Sequence, residues 1–144
     1  MSRYLLDTNV ISEATEPRPS QALSLWLERQ DDTDLFISTL SLAEMRRGIL
    51  EKDPGGKRRQ LESWFRGPEG PPALFRGRIL SFDEAAAIEW ARLMAEGTAV
   101  GRPRSAIDMM IAAIASAHRC TLVTLNERHF QDIVTFLNPA RSGS

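Results

Sequence analysis

Apolar positions along the chain fall into short runs that alternate with longer stretches of helical spacing. Tyr4-Leu5-Leu6 is short enough for one buried strand, and it ends on Asp7. Residues 9–15 suit a short helix, which Glu16-Pro17-Arg18-Pro19 breaks. Ser20 stands as an N-cap for a helix to Arg29, with Leu23, Trp26 and Leu27 at helical spacing. Asp31 to Asp34 is a polar turn, and Leu35-Phe36-Ile37-Ser38 reads as a second strand. The pattern predicts a helix from Ser41 to Glu51, closed by Asp53-Pro54-Gly55-Gly56, and another from Lys57 to Phe65.

Gly67-Pro68-Glu69-Gly70-Pro71-Pro72 is the clearest loop, and Arg78-Ile79-Leu80-Ser81 a third strand. Phe82 to Glu96 carries a strong helical pattern through Ile88, Trp90, Ala91 and Met94. Gly97 stands where such a helix stops, and a loop to Pro103 follows. Ser105 to Ala117 is an apolar helix, and Thr121-Leu122-Val123-Thr124 a fourth strand. Residues 126–132 form a loop or a single helical turn, and Ile133-Val134-Thr135-Phe136 is a fifth strand. Strands alternating with helices predict right-handed βαβ units. The expected class is α/β, a mostly parallel sheet of about five strands with helices on both faces. One domain over residues 1–138 and a loose tail over 139–144 are expected, with no internal repeat.

Composition narrows the function classes. The 42% apolar and 26% charged fractions are those of an ordinary soluble globular protein. A net charge of −1 argues against gripping nucleic acid by overall charge and leaves only a local basic patch. The single cysteine, Cys120, excludes an internal disulfide framework and suits a reducing cytoplasm. Its neighbours Thr121-Leu122-Val123 point to a buried thiol. Met1-Ser2-Arg3 leads straight into the first strand without a cleavable signal, and no apolar run is long enough for a bilayer. A cytoplasmic protein with no membrane partner is expected.

The candidate chemistry lies in acids. Ligands of a parallel α/β sheet bind outside the carboxyl ends of its strands, where Asp7 would stand. Asp108 is the only charged residue from Ser105 to Ala117, in a helix apolar nearly all round. It admits two readings: a site acid, or a member of the capping box Ser105-Ala106-Ile107-Asp108. Glu44 follows the second strand in Ser41-Leu42-Ala43-Glu44, and Ser81-Phe82-Asp83-Glu84 repeats the pattern a third time, so capping alone does not single out an acid. Asp83 and Glu84 read as helix-terminal acids. Three carboxylates in one pocket repel each other until protons or metal ions relieve them. Oxygen-only ligands suit Mg²⁺ or Mn²⁺. There is no closely spaced Cys/His cluster, phosphate loop or nucleophile elbow. His118 and His129 are isolated in sequence. Arg46, Arg47 and Lys57-Arg58-Arg59 are basic groups near Glu44 in sequence. Arg102 and Arg104 lie in the loop leading to Asp108 and are the preferred phosphate contacts.

Four segments stand in order: LLDTNVIS at 5–12, ISTLSLAEMRRGI at 37–49, SAIDMMIAAIASAH at 105–118 and LVTLNERHF at 122–130. This ordered set resembles the PIN-domain nucleases, and more closely the VapC-type toxins of bacterial and archaeal toxin–antitoxin pairs. The resemblance runs from Tyr4 to Leu137.

The resemblance implies a three-layer α/β/α sandwich and an Mg²⁺-dependent ribonuclease, with Mn²⁺ as a possible substitute. Water activated by one or two ions would cut RNA phosphodiesters to a 5′-phosphate and a 3′-hydroxyl. Asp7 and Asp108 match the direct metal ligands, and Glu44 binds a second ion or orients the attacking water. Thr8, Asn9 and Thr124 would support these acids. Many relatives carry a further acid in the segment matching Leu125 to Phe130. Here that segment offers Asn126, Glu127 and His129. Asn126 would hold the site by hydrogen bonding, and Glu127 as a replacement acid stays open. His129, like His118, reads first as a surface or helix-end histidine, and its place after the fourth strand leaves substrate contact as the second reading. The implied partners are RNA and a small VapB-type antitoxin whose tail occupies a groove near the acids, with a homodimer or higher complex as the assembly. Trp64, Phe65 and Leu74 would serve either a partner or the core. The competing reading is a catalytically silent PIN-like module that binds a metal or a protein. An aspartyl-phosphate switch on Asp7 is disfavoured by Asn9, where such enzymes commonly carry a second acid.

Overall fold

A computed structural model describes residues 2–141. Five strands form one sheet: β1 (Tyr4–Leu6), β2 (Leu35–Ser38), β3 (Ile79–Leu80), β4 (Thr121–Val123) and β5 (Phe136–Leu137). Their order is β3-β2-β1-β4-β5, and every pairing is parallel. The helices are α1 (Thr8–Ala14), α2 (Gln21–Glu28), α3 (Thr39–Leu50), α4 (Gly56–Arg66), α5 (Pro71–Leu74), α6 (Glu84–Ala99) and α7 (Ala106–Ala117). The expected α/β class with a parallel five-stranded sheet is the observed one. Among the described residues, no helix is long and apolar enough to cross a membrane.

Alternating side chains give the sheet two buried faces. Leu5, Phe36 and Leu122 pack with Ala86 and Leu93 of α6 and Met109, Ile111 and Ile114 of α7. Leu6, Leu35, Ile37 and Val123 pack on the other face with Val10 and Ile11 of α1 and Leu23 and Trp26 of α2. Each such aliphatic side chain contributes about 1.5–3 kcal/mol when fully buried. Helix α7 is apolar nearly all round because it lies between the sheet and α6, with six of its residues buried. Cys120 is buried as expected, and burial pushes its thiol up from its ordinary value.

Several boundaries differ from the pattern. Helix α3 begins two residues early, because Ser38 rather than Ser41 is its N-cap; Ser38 Oγ accepts from Ser41 N at 3.1 Å. The Pro71-Pro72 end of the expected loop opens α5, since proline suits the first helical positions. Helix α6 continues past Gly97 to Ala99. Gly97 is buried there because a Cβ would lie 2.9 Å from Arg104 Cδ and 3.0 Å from the Arg102 carbonyl. The missing side chain serves close packing and not helix termination. The fifth strand is Phe136–Leu137, while Ile133 and Val134 reach the core from the preceding turn. Residues 139–141 form a turn closed by Arg141 N–H to the Asn138 carbonyl at 3.0 Å. Residues 142–144 of the expected tail, and Met1, lie outside the described residues.

From β1 the chain winds outward to β2 and β3, then returns to β4 on the other side of β1. The winding reverses between β1 and β4, and such a switch point opens a crevice at the carboxyl ends of the strands. Leu6 is in register with Val123, and Asp7 N–H donates to the Val123 carbonyl at 2.9 Å. Asp7 and Thr124, the residues that follow those strands, therefore meet in the crevice.

Candidate active site

Asp7 leaves β1 and caps α1. It is 5% exposed. Its Oδ1 accepts from Thr8 N at 2.8 Å. Its Oδ2 accepts from the buried Thr124 hydroxyl at 2.8 Å and from Asn9 Nδ2 at 3.4 Å. Asn9 Oδ1 in turn accepts from Leu125 N at 3.2 Å, which ties the turns after β1 and β4 together. Burial pushes the Asp7 carboxyl above its ordinary value, against the hydrogen bonds from Thr124 and Thr8. The nearby charges of Asp108 and Glu44 push it the same way as burial.

Glu44 projects from α3 toward the same turn. Thr8 Oγ1 donates to Glu44 Oε1 at 2.5 Å and lies 2.9 Å from Ser41 Oγ. A hydroxyl carries one proton, so Ser41 supplies the proton of the second bond. The early start of α3 places Glu44 beyond the first turn, and no capping box includes it. At α7 half of the expected box exists: Ser105 Oγ accepts from Asp108 N at 3.2 Å. The Asp108 carboxylate turns elsewhere, with Oδ2 at 2.9 Å from His129 Nδ1. The third acidic pair behaves as terminal acids. Asp83 caps α6, accepts from Ala86 N at 2.9 Å and lies 3.0 Å from His118 Nε2.

Asp7, Glu44 and Asp108 line one cleft of about 530 Å³, with Thr8, Asn9, Asn126, Glu13 and Glu16. It contains five carboxylates and, among the described residues, no Lys or Arg. The sequence reading missed Glu13 and Glu16. Glu13 sits four residues after Asn9, on the same face of α1, and that spacing could have revealed it. Its Oε2 accepts from Ser20 N at 3.0 Å.

The donor set is all oxygen, which suits a hard divalent cation. Among the described residues no three acids, histidines or cysteines are close enough to enclose an ion by themselves. Mg²⁺ binds through one or two carboxylates and completes its shell with water and substrate phosphate, so these residues fit it.

The remaining candidates divide. Asn126 lines the cleft, and its backbone N–H donates to Thr124 Oγ1 at 3.0 Å. Glu127 does not join the acids. It pairs with Arg141 at 2.7 Å and accepts from Asn138 Nδ2 at 3.1 Å, because the turn after β4 faces it toward the chain that leaves β5. Arg104 is also committed, donating to the Leu93 carbonyl at 2.7 Å and pairing with Glu96 at 3.3 Å. Arg46 and Arg58 both pair with Glu62 at 3.5 Å, and Arg47 with Glu51 at 2.9 Å. Trp64 and Phe65 are half-buried edge to face, with ring centroids 6.5 Å apart, while Leu74 is exposed. Beyond Asp108 a second groove of about 470 Å³ opens, lined by Arg102, Arg128 and His129 among others. Arg128 was missed because nothing in its own segment separates it from a solvated arginine.

A model of the PIN-domain family matches residues 4–134. The chain is 36% identical over 137 residues to Toxin FitB of Neisseria gonorrhoeae, covering 94% of this chain and 96% of that protein. It is likewise 36% identical over 140 residues to VapC ribonuclease Y4jK of Sinorhizobium fredii, covering 94% and 99%. The crystal structure of FitAcB from Neisseria gonorrhoeae aligns with a TM-score of 0.86 at 34% identity, over 96% of this chain and 99% of that one. VapBC2 from Rickettsia felis, solved with a DNA fragment from its promoter, aligns with a TM-score of 0.75 at 26% identity, over 94% and 97%. A family match across almost the whole fold, with relatives this similar over nearly their full length, means that the chain belongs to the PIN-domain family.

Proposed function

We propose that this protein is a divalent-metal-dependent ribonuclease, the toxin of a VapBC-type pair acting in the cytoplasm on RNA phosphodiester bonds. One observation carries the reading: five carboxylates from three separated parts of the chain converge on one cleft at the switch point of the sheet. The names ribonuclease and toxin, carried by relatives of 36% identity, support the reaction class and the biological role. Solved relatives such as FitAcB and VapBC2 support a small antitoxin as partner.

Asp7 and Asp108 would hold Mg²⁺, or Mn²⁺ in its place, and Glu44 would hold a second ion or orient the attacking water. When bound, such an ion supplies positive charge to the phosphate and eases loss of a proton from water. The protein's own part is positioning. Thr8 N–H and the Thr124 hydroxyl fix the Asp7 carboxylate, the Thr8 hydroxyl fixes Glu44, and His129 fixes Asp108. Carboxylates this close repel an RNA phosphate until cations compensate them, so substrate entry is coupled to metal loading.

The test is cleavage of end-labelled single-stranded RNA with Mg²⁺ or Mn²⁺, with and without chelator. Asp7→Asn and Asp108→Asn should each abolish cleavage while circular dichroism stays that of the parent. Products should carry 5′-phosphates. Mg²⁺-dependent cleavage that survives in both variants would rule out this site.

A further inference from the structure

The acidic cleft is not closed on the Asp108 side. Asp108 is shared with the adjoining groove, whose walls are the 100–105 loop and the 128–133 segment. The groove has the opposite electrostatic character. Arg102, Arg104, Arg128 and His129 line it, against the acids Asp108 and Asp132. Arg104 is held by Glu96 and the Leu93 carbonyl, and His129 by Asp108. Arg102 and Arg128 are exposed and, among the described residues, have no carboxylate within ion-pairing distance. Helix α7, 12 residues long, has its N-cap Ser105 in this wall, and the positive end of its dipole adds to the same field.

We propose that this groove is the binding track for single-stranded RNA on one side of the scissile bond. Arg102 and Arg128 grip consecutive backbone phosphates as the strand leaves the acidic cleft past Asp108. The inference rests on the ribonuclease reading and adds a direction to it. Cations must compensate the reacting phosphate over the acids, whereas its neighbours need guanidinium donors, and the Asp108 side provides two, Arg102 and Arg128, that no carboxylate engages among the described residues, while Arg141 beside Asn126 is held by Glu127. The forked guanidinium suits phosphate oxygens, and such contacts position a strand without reading its sequence. Sequence preference would then arise elsewhere.

The test is fluorescence anisotropy with a labelled single-stranded RNA of about 12 nucleotides, long enough for a groove of this kind. The parent for binding is the full chain carrying Asp7→Asn, with Mg²⁺, which prevents turnover. Adding Arg102→Ala and Arg128→Ala together should raise Kd about tenfold or more. It should also flatten the dependence of log Kd on log salt by about 1.4, at about 0.7 for each single-strand phosphate contact. Lys57→Ala with Arg59→Ala on α4, which removes as much charge elsewhere, should leave both unchanged. A groove variant that binds RNA as the parent does would overturn the proposal and favour an acidic protein segment as occupant. Equal loss in the α4 variant would overturn it too, since the effect would then be net charge. Cleavage by the otherwise native chain is measured separately. If it cuts RNA and the groove variant binds normally, the track fails and the ribonuclease reading stands. If it cuts no RNA while the groove variant loses binding, the ribonuclease reading fails and the groove stands only as an RNA-binding surface, with its place beside a scissile bond overturned.

Discussion

The Thr124 hydroxyl donates to Asp7 Oδ2 at 2.8 Å across 117 residues of sequence. Thr124 is fully buried, and this bond opposes the effect of burial on the Asp7 carboxyl. Thr124→Val keeps the side-chain outline and removes the donor. It should cost about 1.5–3 kcal/mol at neutral pH, the range for a hydrogen bond to a charged group. Cleavage should fall about 10–100-fold, as for other residues that orient a metal ligand. Thr124→Ser should retain most of both. Urea denaturation and cleavage rates measured side by side decide this, and a Val variant matching the parent in both would contradict it.

Asp7 also predicts a pH dependence. Its carboxyl is raised in the folded protein, chiefly by burial, so the folded state binds that proton more tightly than the unfolded chain. For an acid shifted in this direction, stability without metal is greatest below the unfolded value. It then falls as pH rises through the window up to the folded value. Asp7→Asn removes this penalty. Without metal it should melt above the parent at about pH 7, with the difference closing toward pH 4, near the ordinary value of an aspartate. Added Mg²⁺ should raise the melting temperature of the parent far more than that of Asp7→Asn. Thermal melts at both pH values, with and without Mg²⁺, check the sign.

His129 lies 2.9 Å from Asp108 with just over half of its side chain exposed. Its loss should therefore spare the fold while freeing the carboxylate it holds. His129→Ala should change stability by less than about 0.5 kcal/mol. It should lower kcat about tenfold, in the range seen when the partner of a metal ligand is removed. His129→Asn, which keeps an N–H donor, should recover part of the loss. Steady-state kinetics on labelled RNA separate kcat from KM; an unchanged kcat in His129→Ala would show that Asp108 needs no such support.

Glu127 is tied to Arg141 and Asn138 outside the acidic cleft. Glu127→Gln should leave the cleavage rate within about twofold of the parent, as for a surface substitution away from the chemistry. It should make the chain after β5 more open to limited proteolysis. A strong loss of cleavage without a change in proteolysis would return Glu127 to the site.

Gly97 is filled from outside by Arg104. A methyl group there meets Arg104 Cδ at 2.9 Å and the Arg102 carbonyl at 3.0 Å. Alanine normally favours a helix, yet Gly97→Ala should destabilise the protein by about 1–3 kcal/mol, the range for overpacking. Urea unfolding measures it, and a more stable variant would show that the 102–104 backbone yields without cost.

The elements were legible because they rest on local spacing. Leu5 and Leu6 alternate between two cores, and α7 is apolar all round because it is covered on both sides. The position of Asp7 was legible as well, since a strand that ends on a carboxylate brings it to the rim of a parallel sheet, whereas Glu13 and Glu16 of the same cleft were not read from the sequence. Boundaries were less so. Ser41 looked like the cap of α3, but Ser38, three residues earlier and the last residue of β2, takes the role. Gly97 carried a stop signal that Arg104, from a later segment, turned into a packing requirement.

Sequence alone determined the order of strands and helices, the α/β class and the set of carboxylates available for a site. Tertiary structure decided their use. The register of Leu6 with Val123 set Asp7 beside Thr124, α3 brought Glu44 onto Thr8, and the turn after β4 sent His129 to Asp108 and Glu127 to Arg141. It also left Arg128 open and closed Arg104. The physical reason is range: helix and strand periodicity acts over a few residues, whereas a carboxylate's partner is chosen by which distant side chain comes within about 3 Å once the sheet has formed.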